Sequence, residues 1–306
     1  MTKTAFLFAG QGAQYLGMAR DLYEQYDVVK STFEEASQVL GYDVRALIDQ
    51  DEEKLNQTRY TQPAILTTSL AIYRLLAEKG IRPAMVAGLS LGEYSALVAA
   101  GALDFKTALA LVAKRGAFME EAAPAGSGKM VAVLNADVAL IEEACQTASQ
   151  LGVVSPANYN TPGQIVIGGD VAAVDKAVEL LKEAGVKRLI PLNVSGPFHT
   201  ALLKLASEKL AQVLAETEFT EFQLPLVGNT EADIMEASRI KELLTRQIIE
   251  PVRFYDSIAK MQEAGVTEFI EIGPGKVLSG FMKKIDKSAV VHSVESVETL
   301  TALLEK

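Results

Sequence analysis

The stretch that decides the fold is AMVAGLSLGE, residues 84–93. Its first four residues are apolar and predict a short buried strand, and the residues after it predict a helix that ends at Gly101. Between the two lies the pattern G-x-S-x-G, centred on Ser90. A sharp strand-to-helix turn of this kind exposes a nucleophilic serine and aims the N–H of the next residue, Leu91, at a reacting carbonyl. The string alone equally fits a helix-capping serine, but the strand and helix around it favour a nucleophile.

Strand and helix alternate on both sides of this stretch, up to about residue 122 and again beyond residue 196. Such alternation predicts a mostly parallel sheet with helices on both faces. The polar segment Thr58–Pro63 predicts a break before the helix Ala64–Glu78, and another helix is predicted to begin near His199. The strands predicted for this sheet are Thr4–Ala9, Ala84–Ala87, Leu224–Gly228, Glu268–Ile272 and Ala289–Val291.

The middle of the chain has a different order of predicted strands and helices, which begins after the composition break Ala122–Gly128. The predicted elements here follow the order β-α-β-β-α-β, which is that of a ferredoxin-like unit. We therefore expect an α/β protein built from two parts. A large subdomain, residues 1–127 and 196–306, would carry an inserted ferredoxin-like subdomain, residues 128–195.

The composition excludes several kinds of function. The chain has 29 Lys and Arg against 39 Asp and Glu, and the resulting net charge of −10 disfavours binding to nucleic acid. Cys145 is the only cysteine, so the chain cannot form an internal disulfide or a site of several thiolates. Because there are only two histidines, a histidine-rich metal site is also excluded, and we expect no metal.

Neither a signal peptide nor a membrane span is predicted. The apolar run Ala5–Ala9 is too short for the core of a signal peptide. The longer apolar stretch Ala84–Leu103 is interrupted by Glu93 and by glycines, which is typical of a strand, a turn and a buried helix. We expect a cytoplasmic protein that does not enter a membrane.

A serine needs a base to act as a nucleophile at neutral pH, and the chain offers two histidines. A lone histidine is more often structural than catalytic. His199 lies at a predicted loop-to-helix junction, whereas His292 lies in a predicted strand, and loops carry functional side chains more often. We predict that His199 is the base for Ser90. No acidic residue is obviously placed to orient the imidazole, so a backbone or side-chain carbonyl can do so instead.

Six motifs, taken in order along the chain, resemble those of a known family. They are Phe8-Ala9-Gly10-Gln11-Gly12-Ala13-Gln14, Tyr60-Thr61-Gln62-Pro63-Ala64, Gly88-Leu89-Ser90-Leu91-Gly92-Glu93, Lys114-Arg115-Gly116, Phe198-His199 and Glu271-Ile272-Gly273-Pro274-Gly275. The sequence resembles the malonyl-CoA:acyl carrier protein transacylases of bacterial fatty acid synthesis. The resemblance covers essentially the whole chain and implies a hydrolase-like α/β fold with a ferredoxin-like insert.

The resemblance implies an acyl transfer in two steps through an ester on Ser90, with His199 as general base and acid. Malonyl-CoA would donate the acyl group and the phosphopantetheine thiol of acyl carrier protein would receive it, so both are substrates and no cofactor is implied. We expect the enzyme to be a monomer. The family pattern gives the remaining roles to Gln11 and Leu91 as oxyanion donors, to Arg115, Gln62, Asn158 and Phe198 as substrate-binding residues, and to Gln247 as the residue whose carbonyl orients the histidine.

Arg115 owes its predicted role to the resemblance. A planar guanidinium can bind the free carboxylate of a malonyl group bidentately. By position alone, however, Arg115 equally fits a solvated residue near a helix end, since cations suit helix C-termini.

Three positions bear on how closely the family pattern is followed. Leu89 stands where histidine is usual, and Ala9 stands where proline is usual, which puts the rigidity of the turn carrying Gln11 in doubt. Phe198 matches the malonyl-selecting form of its motif, so a branched methylmalonyl group is expected to be disfavoured.

Three other functions stay open. A serine hydrolase or thioesterase would use the same Ser90 and His199. A nucleotide-binding protein is disfavoured, because Tyr15 replaces the third glycine of a dinucleotide motif and Met130 replaces the Ser or Thr of a P-loop. A non-catalytic scaffold would keep the fold without needing the hydroxyl of Ser90.

Overall fold

Two four-stranded sheets form in the described part of the chain, and they differ in the direction of their strands. The computed structural model describes residues 3–124, 126–192 and 196–306. The strands are β1 (Thr4–Phe8), β2 (Met85–Gly88), β3 (Lys129–Leu134), β4 (Val154–Thr161), β5 (Gln164–Gly169), β6 (Arg188–Pro191), β7 (Glu268–Ile272) and β8 (Val290–Val294). The first, second, seventh and eighth form a parallel sheet, and the other four form an antiparallel one. The predicted α/β fold class is confirmed.

Helices flank both sheets. They are α1 (Arg20–Gln25), α2 (Asp27–Leu40), α3 (Val44–Gln50), α4 (Glu52–Leu55), α5 (Thr58–Glu78), α6 (Gly92–Ala99), α7 (Phe105–Ala122), α8 (Val138–Ala148), α9 (Val171–Glu183), α10 (Lys204–Glu216), α11 (Ile240–Gln247), α12 (Phe254–Glu263), α13 (Val277–Ile285) and α14 (Val297–Leu304). The start of α7 shows why they begin where they do. Asp104 precedes it and accepts a hydrogen bond from the N–H of Thr107 at 3.0 Å, which satisfies one of the free donors of the first turn.

The parallel sheet brings the ends of three strands to one edge. Its order is β2-β1-β7-β8, and Phe8 at the end of β1 pairs with Gly88 of β2 and with Ile272 of β7. Both β1 and β2 are apolar and almost wholly buried, as expected of parallel strands covered on both faces. Ligands of open α/β sheets bind at the carboxyl ends of the strands. The turns after β1 and β2 therefore lie where an active site is expected.

The antiparallel sheet belongs to the ferredoxin-like unit, whose prediction is confirmed. Its order is β4-β5-β3-β6, and it has its own apolar core, to which Val131, Ile141 and Leu181 belong. All four strands lie between Lys129 and Pro191. The subdomain boundary between residues 127 and 128 stays a prediction. The predicted boundary after residue 195 involves residues 193–195, which lie outside the described residues.

The predicted break at Thr58–Pro63 is wrong, because α5 begins at Thr58. Pro63 lies in the second turn of the helix, where its missing N–H removes a single helical hydrogen bond. The helix packs closely on α7: a Cβ at Gly116 would lie 2.8 Å from the carbonyl oxygen of Thr58. Tertiary packing thus outweighs the local signal of proline, and it places Gln62 on a buried helix.

The predicted strand Leu224–Gly228 is also wrong. Only Leu226 pairs with the parallel sheet, through an isolated bridge to Val86 of β2. Pro225 accepts a hydrogen bond from the N–H of Val86 at 3.0 Å but has no N–H to donate, so it cannot take part in a regular ladder.

Glycine allows α6 to approach the ends of β1 and β2. Gly88 ends β2 and Gly92 begins α6. A Cβ on Gly92 would overlap the carbonyl oxygen of Phe8, and a Cβ on Gly88 would overlap the backbone of Gly92. The turn that carries Ser90 is therefore enclosed by backbone segments that leave no space for side chains.

We predict opposite effects for two glycine-to-alanine substitutions. Gly92→Ala should lower the free energy of unfolding by about 1–3 kcal/mol, as overpacking does. Gly280→Ala should raise it by about 1 kcal/mol, because Gly280 lies inside α13 and a Cβ there meets nothing within 4 Å. Urea unfolding followed by circular dichroism measures both. Equal stability of the two variants would contradict the close approach of α6.

Candidate active site

Ser90 lies in the turn between β2 and α6 in a strained conformation. Its φ of +53° falls in the left-handed region, which is unfavourable for residues other than glycine. Its N–H donates to Oδ1 of Asn229 at 2.7 Å, and its carbonyl accepts from Nε2 of Gln247 at 3.0 Å. Both partners are fully buried. Two buried side chains thus hold the backbone of the turn, and neither of them binds the hydroxyl of Ser90.

His199 is hydrogen-bonded to that hydroxyl. Its Nε2 lies 2.8 Å from Oγ of Ser90, and its Nδ1 lies 2.7 Å from the backbone carbonyl oxygen of Gln247. Because a carbonyl can only accept, Nδ1 carries the proton and Nε2 accepts from the serine. The helix predicted to begin near His199 begins at Lys204, since the φ of His199 is +59°. A carbonyl therefore takes the orienting position that an acidic residue has in other serine enzymes.

The imidazole of His199 is neutral at physiological pH. Burial and, to a smaller extent, the nearby positive charge of Arg115 lower its pKa to about 4, against the hydrogen bond to Gln247, which raises it. A neutral imidazole with a free Nε2 is the form that can accept a proton from serine.

Arg115 is a fully buried cation on α7. Its Nη1 donates to Oε1 of Gln62 at 2.7 Å, and its Nη2 donates to Oε1 of Gln247 at 2.9 Å and to Oγ of Ser90 at 3.1 Å. The central carbon of the guanidinium lies 5.2 Å from the centre of the Tyr94 ring. Arg115 therefore reaches the nucleophile directly.

The charge of Arg115 has no ionic partner among the residues that the structure describes. No carboxylate lies within salt-bridge distance, and its buried Nε has no hydrogen-bond acceptor. Burial lowers its pKa. A buried charge is costly unless it is paired, so this guanidinium is suited to receive an anion beside Ser90.

The two predicted oxyanion donors are free. Within residues 3–124, 126–192 and 196–306, the N–H groups of Gln11 and Leu91 donate no hydrogen bond. Leu91 directly precedes α6, where the helix dipole favours negative charge. The side chain of Gln11 accepts from Nε2 of Gln62 at 3.2 Å, which ties the turn after β1 to the arginine site. Although Ala9 stands where proline is usual, the side chain of Gln11 anchors the turn.

A cavity of about 320 Å³ lies between the two sheets and includes the reactive pair. The turns of the large subdomain contribute Gln11, Ser90 and His199. The ferredoxin-like unit contributes polar residues of β4 and β5. Further lining comes from Gly10, Gly12, Ala13, Leu89, Met119, Met130, Asn158, Asn160, Gln164, Val166, Leu192, Phe198, Val277 and Phe281. Only the tertiary fold assembles this cavity, because its lining comes from both subdomains.

Most of the predicted site residues meet at one place. Hydrogen bonds link five of them: Ser90, His199, Arg115, Gln62 and Gln247. Gln11, Asn158 and Phe198 line the same cavity, and Leu91 follows Ser90 in its turn. Their individual roles stay predictions.

His292 is absent from the lining of that cavity. It lies on β8, at the edge of the parallel sheet, and its Nε2 is 3.4 Å from Oε1 of Glu268. Its neighbours are charged side chains at the sheet edge, and it is placed away from Ser90.

Sequence reasoning missed two residues that hold the site together. Asn229 binds the backbone of Ser90, and it follows Gly228 in a loop that carries no recognised motif. Glu93 is buried three residues after the serine and accepts hydrogen bonds from the N–H of Asn229 at 2.9 Å and from the amide of Gln247. Its place in the motif of the nucleophile was the available signal.

The described ranges contain neither a metal-binding cluster nor a membrane-spanning helix. No group of three or more His, Cys, Asp or Glu residues there could hold a metal ion. No helix among the residues described is both long and apolar enough to cross a membrane.

We predict that His199 stays neutral at pH 6. Its folded pKa of about 4 lies below the ordinary value of 6.5, so the unfolded chain takes up this proton first as the pH falls. Acidification from 6.5 to 4 should therefore reduce stability through His199. ¹⁵N NMR of the imidazoles should show a protonated Nδ1 and a bare Nε2 at pH 6, with His199→Ala to assign the signal. An imidazolium signal at that pH would contradict the prediction.

Comparison with known proteins covers nearly the whole chain. The model of the acyl transferase domain family matches residues 5–303. The malonyl CoA-acyl carrier protein transacylase of Bacillus subtilis (strain 168) is 49% identical over 308 residues, covering 100% of this chain and 97% of the relative. The transacylase of the same description from Escherichia coli (strain K12) is 46% identical over 308 residues and is covered in full.

Solved structures agree with these relatives. The crystal structure of MCAT from Streptococcus pneumoniae has a TM-score of 0.98 to this chain at 73% identity, with 99% of each chain covered. A malonyl-transacylase solved in complex with a type II PKS acyl-carrier protein has a TM-score of 0.96 at 46% identity, again with 99% of each chain covered. Similarity of this extent confirms the resemblance of the six motifs, and the chain belongs to the malonyl-CoA:acyl carrier protein transacylase family of acyl transferase domains.

Proposed function

We propose that this chain transfers a malonyl group from malonyl-CoA to the phosphopantetheine thiol of acyl carrier protein, through an ester on Ser90. One observation carries the proposal. The hydroxyl of Ser90 is hydrogen-bonded both to a neutral imidazole and to a buried guanidinium that lacks an ionic partner. A nucleophile beside an anion receptor fits a thioester whose acyl group ends in a free carboxylate.

The first step forms the ester. Oγ of Ser90 attacks the thioester carbonyl carbon, and its proton passes to Nε2 of His199. The N–H groups of Gln11 and Leu91 donate hydrogen bonds to the carbonyl oxygen and stabilise the negative charge that develops on it. Each donor of this type contributes about 3 kcal/mol. The carbon–sulfur bond then breaks, and His199 returns the proton to the departing thiolate of coenzyme A.

The second step reverses the roles with a different thiol. The phosphopantetheine thiol gives its proton to His199 and attacks the carbonyl carbon of the ester. The bond to Oγ breaks, and Ser90 recovers its proton from the imidazole. Because Nδ1 stays bonded to the carbonyl of Gln247 throughout, the same nitrogen, Nε2, serves as base and acid in both steps.

Arg115 would hold the malonyl carboxylate. Its planar guanidinium now donates to neutral groups only, on Gln62, Gln247 and Ser90. A bound carboxylate would supply the missing ionic partner and would orient the acyl chain with its thioester toward Oγ. An acetyl group has no such carboxylate and gains none of this binding energy.

We also propose a partner for this chain. One relative was solved with its acyl-carrier protein, which supports the same class of partner here. A monomeric state and a cytoplasmic location stay predictions. The expected absence of nucleic acid among the partners rests on the net charge of −10.

Intact mass measurement after mixing with malonyl-CoA tests the ester. The parent should gain the mass of one malonyl group, and Ser90→Ala should gain none. His199→Ala should slow the labelling by about 10²–10⁴-fold, the usual contribution of a general base, whereas the matched variant His292→Ala should label like the parent. The reverse pattern for the two histidines would contradict the assignment.

The same experiment separates transfer from hydrolysis. The malonylated parent should be stable in buffer and lose its label when acyl carrier protein bearing phosphopantetheine is added. Fast release of free malonate without the carrier would identify a hydrolase or thioesterase that uses the same Ser90 and His199.

Arg115→Ala should change the choice of acyl group. We expect the rate of malonylation to fall at least about 100-fold, as for loss of a charge-assisted bidentate contact, while acetylation falls less, so the malonyl-to-acetyl ratio of kcat/KM decreases. Arg45→Ala is the matched control, because Arg45 is also buried but pairs with Asp49 away from the cavity. It should lower stability and leave the ratio unchanged. An unchanged ratio in Arg115→Ala would remove Arg115 from the substrate site.

A further inference from the structure

Glu93 carries a buried carboxylate that, among the described residues, has no hydrogen bond to the side chains of Ser90, His199 or Arg115. It lies in the first turn of α6 and is 1% exposed. Its Oε1 accepts from the N–H of Asn229 at 2.9 Å, and its Oε2 accepts from Nε2 of Gln247. Both oxygens therefore face donors, which is the pattern of an ionised carboxylate. Burial raises its pKa, and these two hydrogen bonds together with the charge of Arg115 limit the rise to about 7.

The two residues bound by Glu93 are the same two that hold the nucleophile. Asn229 accepts from the N–H of Ser90 and donates to the carbonyl of Gly88 at 2.7 Å. Gln247 donates to the carbonyl of Ser90 and accepts, through its backbone, from His199. One carboxylate thus anchors the supports of both members of the reactive pair.

The orientation of the Gln247 amide depends on Glu93. The amide nitrogen faces the carboxylate of Glu93, and the amide oxygen faces Nη2 of Arg115 at 2.9 Å. The opposite orientation would set two oxygens against each other at Glu93 and two donors against each other at Arg115. Since a carboxylate only accepts, Glu93 favours the orientation in which Gln247 can bind the guanidinium, and the carbonyl of Ser90, which also accepts from the amide nitrogen, favours the same one.

We propose that Glu93 is a positioning residue that acts through Gln247: it directs the amide oxygen of Gln247 to Arg115 and thereby sets the preference for acyl groups that carry a carboxylate. The inference rests on the proposed malonyl transfer. It also accounts for the charge of Arg115, which has the carboxylate of Glu93 on the far side of one amide group. Glu93 is not within salt-bridge distance of the guanidinium, so the place beside Ser90 that a substrate carboxylate needs stays open.

Glu93→Gln tests the inference. The new amide has a single acceptor oxygen, so it can accept from Asn229 or from Gln247 but not from both, and its NH₂ group faces the remaining donor. With its NH₂ group toward Gln247 it opposes the present orientation of the Gln247 amide, and an amide that turns over presents its own NH₂ group to Arg115. We expect kcat/KM for malonylation of Ser90 to fall at least about tenfold and the malonyl-to-acetyl ratio to fall with it.

Glu271→Gln is the matched control. Among the described residues, Glu271 is the other fully buried glutamate, and it accepts from the N–H groups of Leu278 and Ser279 at the start of α13. Within that part of the chain its carboxylate has no hydrogen bond to the active-site residues. This variant should lower the melting temperature while keeping the malonyl-to-acetyl ratio of the parent. A general loss of stability and a specific loss of selectivity are thereby separated.

The outcomes are distinguishable. If the parent forms no malonyl ester, the proposed function fails before any variant is compared. If the parent forms it and Glu93→Gln keeps the ratio of the parent at a temperature where both are folded, the role of Glu93 is overturned.

A second variant covers the case in which Glu93→Gln does not fold. Glu93→Asp keeps the charge but is one methylene shorter, so it cannot reach both Asn229 and Gln247. Its ratio should lie below that of the parent, and an unchanged ratio would likewise overturn the inference.

Discussion

The structure depends on holding one serine in a left-handed turn at the end of a parallel strand. Such a conformation is unfavourable for serine, so its surroundings must fix it. Gly88 and Gly92 let strand and helix close on the turn without side chains between them. Asn229 and Gln247 then bind the N–H and the carbonyl of Ser90. The strain is stored where the hydroxyl has to project from the sheet.

The electrostatics of the site follow from burial. Three ionisable groups, Glu93, Arg115 and His199, are buried together. Gln247 contacts all three: its side-chain amide bonds Glu93 and Arg115, and its backbone carbonyl accepts from His199. Burial and a neighbouring cation keep His199 neutral, which makes it a base. The same burial leaves Arg115 short of an anion. A residue that bears no charge thus couples the base, the nucleophile and the proposed carboxylate receptor.

Local signals predicted the strands and helices that carry chemistry better than those that support them. The strand-turn-helix around Ser90 and the ferredoxin-like order were correct, because each is encoded by residues close together in the chain. The start of α5 was missed, since packing on α7 outweighs the proline at position 63. The segment Leu224–Gly228 has the composition of a strand, yet its place beside β2 allows one bridge only.

The sequence by itself determined the candidate nucleophile, the candidate base and the order of six motifs, because these require only residue type and spacing. Without the family pattern, the sequence did not distinguish Arg115 from a solvated arginine near a helix end. Only the tertiary structure revealed how Glu93 and Asn229 support the site, since hydrogen bonds join residues 136 to 157 positions apart. Such pairings depend on how the helices pack on the sheet, and no periodicity or short motif encodes that distance.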